Sequence, residues 1–317
     1  MPSSPPMTPR AWLTRTIGLT VLLVIAVAAA NAAVDIYGIF RDPRGRHLPG
    51  YGDDRVAKYL LSERYVPANF NALIIGSSFS GNWDASQIDG FRMYNESLNG
   101  SNIVEEKTIS DRALASARIK LVILAVQPFL TATHEFETVH VTPRENLEAL
   151  GSQNLLDAYK DKLRAHFHKD AQTFDATGTI VLPEGPRALN PIAARVMDPV
   201  TGFKIDPIAL QAHQDLVAEL HAAKIPIVFV IPAISQPLLA SRASQLAAYS
   251  NLLLRNKSAS DQVIDFTAPE FEAFREDGAN FSDGIHLTKS GAAKAVTYIN
   301  ERLYNWTRTR QLPFRYR

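Results

Sequence analysis

Cysteine is absent from the 317 residues. That excludes disulfides, thiolate metal sites, iron–sulfur clusters and a cysteine nucleophile. It leaves the compartment open, because an oxidising space permits disulfides without requiring them. An excess of charge is also absent: Lys+Arg number 33 and Asp+Glu 32, so no nucleic-acid-binding surface spreads over the whole chain. Internal repeats and low-complexity tracts are missing too. Hydrophobic residues at 46% and charged residues at 21% describe ordinary globular protein, with enough apolar content to fill a core.

The first forty residues stand apart. From Thr16 to Val34 there are 19 consecutive residues without a charge. As a helix this run would be roughly 28 Å long, close to the hydrocarbon thickness of a bilayer. The length favours a retained transmembrane anchor over a signal peptide cleaved at small residues such as Ala30-Asn31-Ala32. Arg10 and Arg15 precede the run and Arg41, Arg44 and Arg46 follow it, so positive charge alone does not orient it. Residues 1–15 read as a leader, 16–34 as the anchor, and 35–70 as an irregular connector punctuated by Pro43, Gly45, Pro49, Gly50 and Gly52.

Strand and helix signals then alternate. Short apolar runs at Ala72–Ile75, Leu121–Val126 and Ile225–Ile231 predict buried strands, with weaker candidates at Arg92–Asn95 and Val263–Asp265. Helical patterns occupy Ser101–Lys120, 206–223, about 236–255 and Lys289–Trp306. This alternation predicts an α/β fold, a three-layer sandwich around a parallel sheet. Between Pro128 and about Gly202 the alternation fails, and that polar stretch is expected to be an insertion or lid.

In such a sheet ligands bind beyond the carboxyl ends of the strands. The segments there are Gly76-Ser77-Ser78-Phe79-Ser80, Asn95-Glu96-Ser97-Leu98-Asn99-Gly100 and Gln127-Pro128, with Asp283-Gly284-Ile285-His286-Leu287 near the last helix. Together they hold a hydroxyl nucleophile, an imidazole base with an orienting carboxylate, and amide donors for an oxyanion, which is the inventory of acyl transfer. Each has a plainer reading. The serines can cap a helix, Asn99-Gly100 and Asp283-Gly284 can be turns, and Gln127 can be a solvated strand end. His134, His140, His166 and His168 lack metal-site spacing and read as surface or lid residues. Arg308, Arg310, Arg315 and Arg317 read as a solvated tail.

These four segments, in this order, resemble the blocks of the SGNH (GDSL-type) hydrolases. The resemblance implies Ser78 as nucleophile, with Ser77 where the family carries aspartate. It implies His286 as base and Asp283 as its orienting acid. The oxyanion would be held by the backbone of Ser78 and Gly100, with Gln127 where the family has asparagine. With the anchor, the chain is similar to the membrane-tethered branch that includes teichoic-acid D-alanylation and alginate O-acetylation proteins. That similarity implies a bacterial, periplasmic domain on the inner membrane, acting on acyl esters of an envelope polysaccharide. Hydrolysis, O-acyl transfer using the same triad, and a non-catalytic polymer-binding role are the three functions it leaves. It implies no cofactor and no metal. The implied partners are an acylated polymer, the membrane and a membrane-bound acyl donor protein, and no nucleic acid.

Overall fold

The computed structural model describes residues 8–132, 141–167, 173–181 and 196–309. Its centre is a five-stranded, wholly parallel sheet. The strands are β1 (Ala72–Ile75), β2 (Met93–Asn95), β3 (Leu121–Ala125), β4 (Ile227–Ile231) and β5 (Gln262–Asp265). Their order is β2-β1-β3-β4-β5. The chain runs outward from β1 to β2 and crosses back to β3, so the topological switch lies between β1 and β3. That is where an open α/β sheet forms its crevice.

β1, β3 and β4 are apolar throughout because both of their faces are covered. Leu73 and Ile75 of β1, Val122 and Leu124 of β3 and Phe229 of β4 point into one core. That core is closed by α2 (Asp54–Asn69), α4 (Ile103–Ser116) and α7 (Pro207–Ala222). Ala72, Ile74, Leu121, Ile123, Val228 and Val230 point the other way. They meet Phe271, Phe274 and the apolar side of α11 (Lys289–Thr309), formed by Ala295, Val296, Ile299 and Leu303. This alternation along each strand produces the three layers predicted from the sequence.

Local chemistry sets the element ends. Asn102 caps α4 through Oδ1, which accepts the N–H groups of Val104 at 2.9 Å and Glu105 at 3.3 Å. The single helix expected over 236–255 is two, α8 (Gln236–Ala240) and α9 (Ala243–Leu253). Arg242 leaves helical backbone between them at φ −134°, and its Nε donates to the Met197 carbonyl at 3.1 Å.

Residues 35–70, expected to be irregular, contain the 16-residue helix α2. Asp53 Oδ1 accepts the N–H groups of Arg55 and Val56 and starts it. In the stretch 128–202, the described residues include a short helix α5 (Glu145–Glu148) and α6 (Gln153–Phe167). The remaining short helices are α3 (Ser78–Gly81) and α10 (Glu272–Glu276). At the N-terminal end, α1 (Pro9–Val34) is long and apolar enough to cross a membrane, with almost none of its surface buried.

Candidate active site

The site is built from the β1 end outward. Gly76 follows the last residue of β1. A Cβ there would lie 2.3 Å from Ser80 Oγ and 2.7 Å from Ala125 Cβ, so the backbone can turn this tightly only without a side chain. Ser77 is extended and bridges Leu98 of the neighbouring loop, where the Leu98 N–H donates to the Gly76 carbonyl at 3.0 Å. Ser78 then opens α3.

Ser78 Oγ lies 2.8 Å from His286 Nε2. His286 Nδ1 lies 2.6 Å from Asp283 Oδ2, and the Asp283 carboxylate is fully buried. The other carboxylate oxygen, Oδ1, accepts the backbone N–H of His286 at 2.8 Å and of Ile285 at 3.2 Å. Burial acts to raise the Asp283 carboxyl. The hydrogen bonds from the His286 ring and backbone and from Ile285 outweigh it and hold that carboxyl below its usual value. Charged Asp283 accepts from Nδ1–H, which leaves the Nε2 lone pair facing the Ser78 hydroxyl. The Phe79 ring stands 6.0 Å from the imidazole and shields one side of it. Ser78, His286 and Asp283, separated by 208 residues of chain, are thus in one hydrogen-bonded line.

Gly100 sits in the adjoining loop with φ +65°, and nothing lies within 4 Å of a Cβ placed there. Neither its backbone N–H nor that of Ser78 is engaged by another described group. The loop leading to Gly100 is fixed from below. Asn95 Nδ2 donates to the carbonyls of Ser80, Gly81 and Trp83, and its Oδ1 accepts the Ser97 N–H at 3.0 Å. Asn95 therefore ties the segment after Ser78 to the Gly100 loop.

Gln127 is buried at the end of β3. Its Oε1 accepts the Ser77 N–H at 3.4 Å and its Nε2 faces Glu106 Oε1 at 3.4 Å. Glu106 Oε1 also accepts the Ser101 hydroxyl at 2.8 Å. Gln127 thus lies beneath Ser77, between the two loops. Burial, with the neighbouring Glu105 charge, pushes the Glu106 carboxyl up to about 8 despite the Ser101 and Gln127 hydrogen bonds, so it is mostly neutral at pH 7.

Sequence reasoning missed the support supplied by α2. Asp54, Arg55, Lys58 and Ser62 form one helix face turned to the Asn95–Gly100 loop. Asp54 Oδ2 accepts the Asn99 N–H at 2.9 Å, and the Arg55 guanidinium donates to the Asn99 carbonyl at 2.9 Å and pairs with Glu105 at 2.5 Å. Lys58 is fully buried, and its Nζ donates to the carbonyls of Asn95 at 2.8 Å, Ser97 at 2.6 Å and Gly178 at 2.8 Å. Ser62 Oγ donates to Glu96 at 2.9 Å. The signal was present: Asp53 before a run with polar residues at 54, 55, 58 and 62 among apolar ones.

His166 is exposed near the end of α6, while His134, His140 and His168 lie outside the described residues. Arg308 is exposed, and Arg310, Arg315 and Arg317 also lie outside them. Among the described residues no group of three or more His, Asp or Glu side chains is placed to hold a metal ion.

No family model matches the chain, and no curated protein matches it. A solved structure from Streptococcus pneumoniae, provisionally named a platelet activating factor, is similar at 11% identity and a TM-score of 0.41. The match covers 77% of this chain and 88% of that one.

Proposed function

We propose that the protein is a membrane-anchored serine esterase of the SGNH type, acting on acyl esters, foremost O-acetyl esters, of an envelope or exported polysaccharide. The observation that carries the reading is the unbroken line from Ser78 Oγ through the His286 ring to buried Asp283, with spacings of 2.8 and 2.6 Å.

In this reading His286 Nε2 takes the Ser78 proton as Oγ attacks the ester carbonyl. Asp283 holds the tautomer and stabilises the imidazolium. The carbonyl oxygen, now negative, is met by the backbone N–H groups of Ser78 and Gly100. His286 returns the proton to the leaving alkoxide, and an acyl–Ser78 ester remains. Water activated by the same imidazole then releases the acid and regenerates Ser78. A sugar hydroxyl in place of that water would make the same apparatus an O-acyltransferase. Gln127 supports Ser77 and the Gly100 loop through Glu106, in contrast to the exposed carboxamide donor that the family resemblance implies at its position.

Hydrolysis of a chromogenic acetyl ester by the purified full chain tests the reading. Turnover lost in Ser78→Ala is the expected result. Inertness of the parent protein towards every ester would favour a polymer-binding role. Acetylated oligosaccharide forming ahead of free acetate would favour transfer.

A further inference from the structure

We propose that α6, with the turn that precedes it, is a second membrane contact, an apolar stripe that lies in the interface of an anionic bilayer beside α1. The proposal rests on the anchored reading above.

The stripe is read from the helix itself. α6 buries Leu155 and Ala158 against the domain. It leaves Leu156, Leu163 and Phe167 exposed at 49%, 63% and 70%. Spacings of seven and four residues put these three on one face. Just before α6, Leu147 and Leu150 are exposed as well. Isolated apolar residues on a surface need no explanation, but five grouped on one short segment do.

What covers them follows from where α6 sits. In the last turn of α1, Asn31 donates through Nδ2 to the Leu150 carbonyl and accepts the Tyr159 hydroxyl at 3.0 Å. Tyr159 lies one step round α6 from the exposed stripe. Asn31 is three residues before the end of α1, about 4.5 Å along its axis. If α1 spans the bilayer, α6 is therefore held level with the membrane surface, not out in the aqueous space. The α1 surface nearer its N-terminus is itself apolar and exposed, with Leu19, Leu22, Leu23 and Val24 all more than half accessible.

Charge on this face is mixed but carries a basic excess. Lys160 and Arg164 beside the stripe pair with Asp157 at 2.7 Å and Asp161 at 3.2 Å, which leaves Lys162, whose ammonium form burial and then the Arg46 and Arg41 charges disfavour. Arg46 is fixed there by buried Asp35 at 2.8 Å, immediately after α1. An exposed apolar stripe on a helix with a small basic excess suits an anionic lipid surface.

The absence of cysteine makes single-site labelling direct. Full-length Leu163→Cys, Phe167→Cys and, separately, Ile25→Cys proteins are labelled with a polarity-sensitive fluorophore. They are placed in vesicles of phosphatidylglycerol and phosphatidylethanolamine, with or without lipids brominated at shallow or deep acyl positions. The expected result is a blue shift at 163 and 167 with loss of emission to shallow bromines, and loss of emission to deep bromines at 25. If 25 is quenched while 163 and 167 report water, the contact is refuted and the anchor stands. A blue shift at 163 and 167 without lipid quenching means that protein covers the stripe, which also refutes the proposal. An unquenched 25 refutes the anchor, and the contact falls with it.

Discussion

Asp283 holds His286 twice: one carboxylate oxygen meets the ring at 2.6 Å and the other accepts the backbone N–H of the same residue at 2.8 Å. The backbone bond fixes the carboxylate, and the carboxylate in turn fixes the ring. Asp283→Asn keeps a backbone acceptor but turns an N–H towards Nδ1. Nδ1 must then be the unprotonated nitrogen, and Nε2 carries the proton and cannot accept one from Ser78. We expect kcat for acetyl ester hydrolysis to fall by about 10³–10⁴-fold in this variant with little change in the thermal melt.

The three serines after Gly76 have separate surroundings. Ser78 faces His286, whereas Ser80 Oγ bonds the Ser77 carbonyl at 3.2 Å and Ser97 Oγ at 2.8 Å, and Ser77 contributes a backbone bridge. Ser78→Ala should remove turnover, while Ser77→Ala and Ser80→Ala should retain most of it. Equal loss in all three, measured as kcat/KM, would show that the nucleophile is elsewhere.

Gly76→Ala places a methyl group 2.3 Å from Ser80 Oγ and 2.7 Å from Ala125 Cβ. One neighbour is a strand side chain in the core, so the turn must move. We expect stability to drop by about 2–3 kcal/mol in urea unfolding, with activity lost alongside. Gly100→Ala meets no neighbour within 4 Å and costs only the strain of φ +65°, about 1 kcal/mol.

Glu106 gives a pH signature with a defined sign. Its carboxyl titrates at about 8 in the fold against an ordinary 4.5. Between these values the native state binds a proton that the unfolded state has released. Stability is fully present below about pH 4.5 and is lost as pH rises towards 8, at a slope on the order of 1 kcal/mol per pH unit. Glu96, raised to about 7 by burial, acts in the same direction over a narrower range. The melting temperature should therefore fall from pH 5 to 7.5, and Glu106→Gln should flatten that fall while keeping an acceptor for Ser101.

Lys58→Met removes the donor shared by three buried carbonyls. A loss of about 2–4 kcal/mol in urea unfolding is expected, because unpaired buried acceptors cost more than the methionine side chain returns by packing. A melt unchanged within error would show that water reaches these carbonyls.

The parallel sheet was legible in the sequence because buried parallel strands are short continuous apolar runs. Ala72–Ile75 is predicted with both ends correct, and Leu121–Val126 to within one residue. Ser78, Asp283 and His286 were legible as a set because each follows a turn at the predicted rim, and the hydrogen-bonded line between them is what the structure adds. Gln127 was legible by position but not by orientation. Its amide turns inward because Glu106, one α4 turn beyond Asn102, is buried beside it, and no local pattern in the sequence pairs residues 106 and 127. The α2 face was obscured by its own charges. Asp54, Arg55 and Lys58 look solvent-facing in a linear reading, and only the carbonyls and N–H groups of a loop some forty residues away make them interior.

Lys58 also orders events in time. Its partners Asn95 and Ser97 leave the ribosome soon after it, but Gly178 follows 120 residues later. Until then the ammonium can meet only two of its three carbonyls. The third contact forms only when the segment after α6 has been made. A nascent chain stalled before that point would carry Ser78 and two of the three Lys58 contacts, but not the His286 that Ser78 faces.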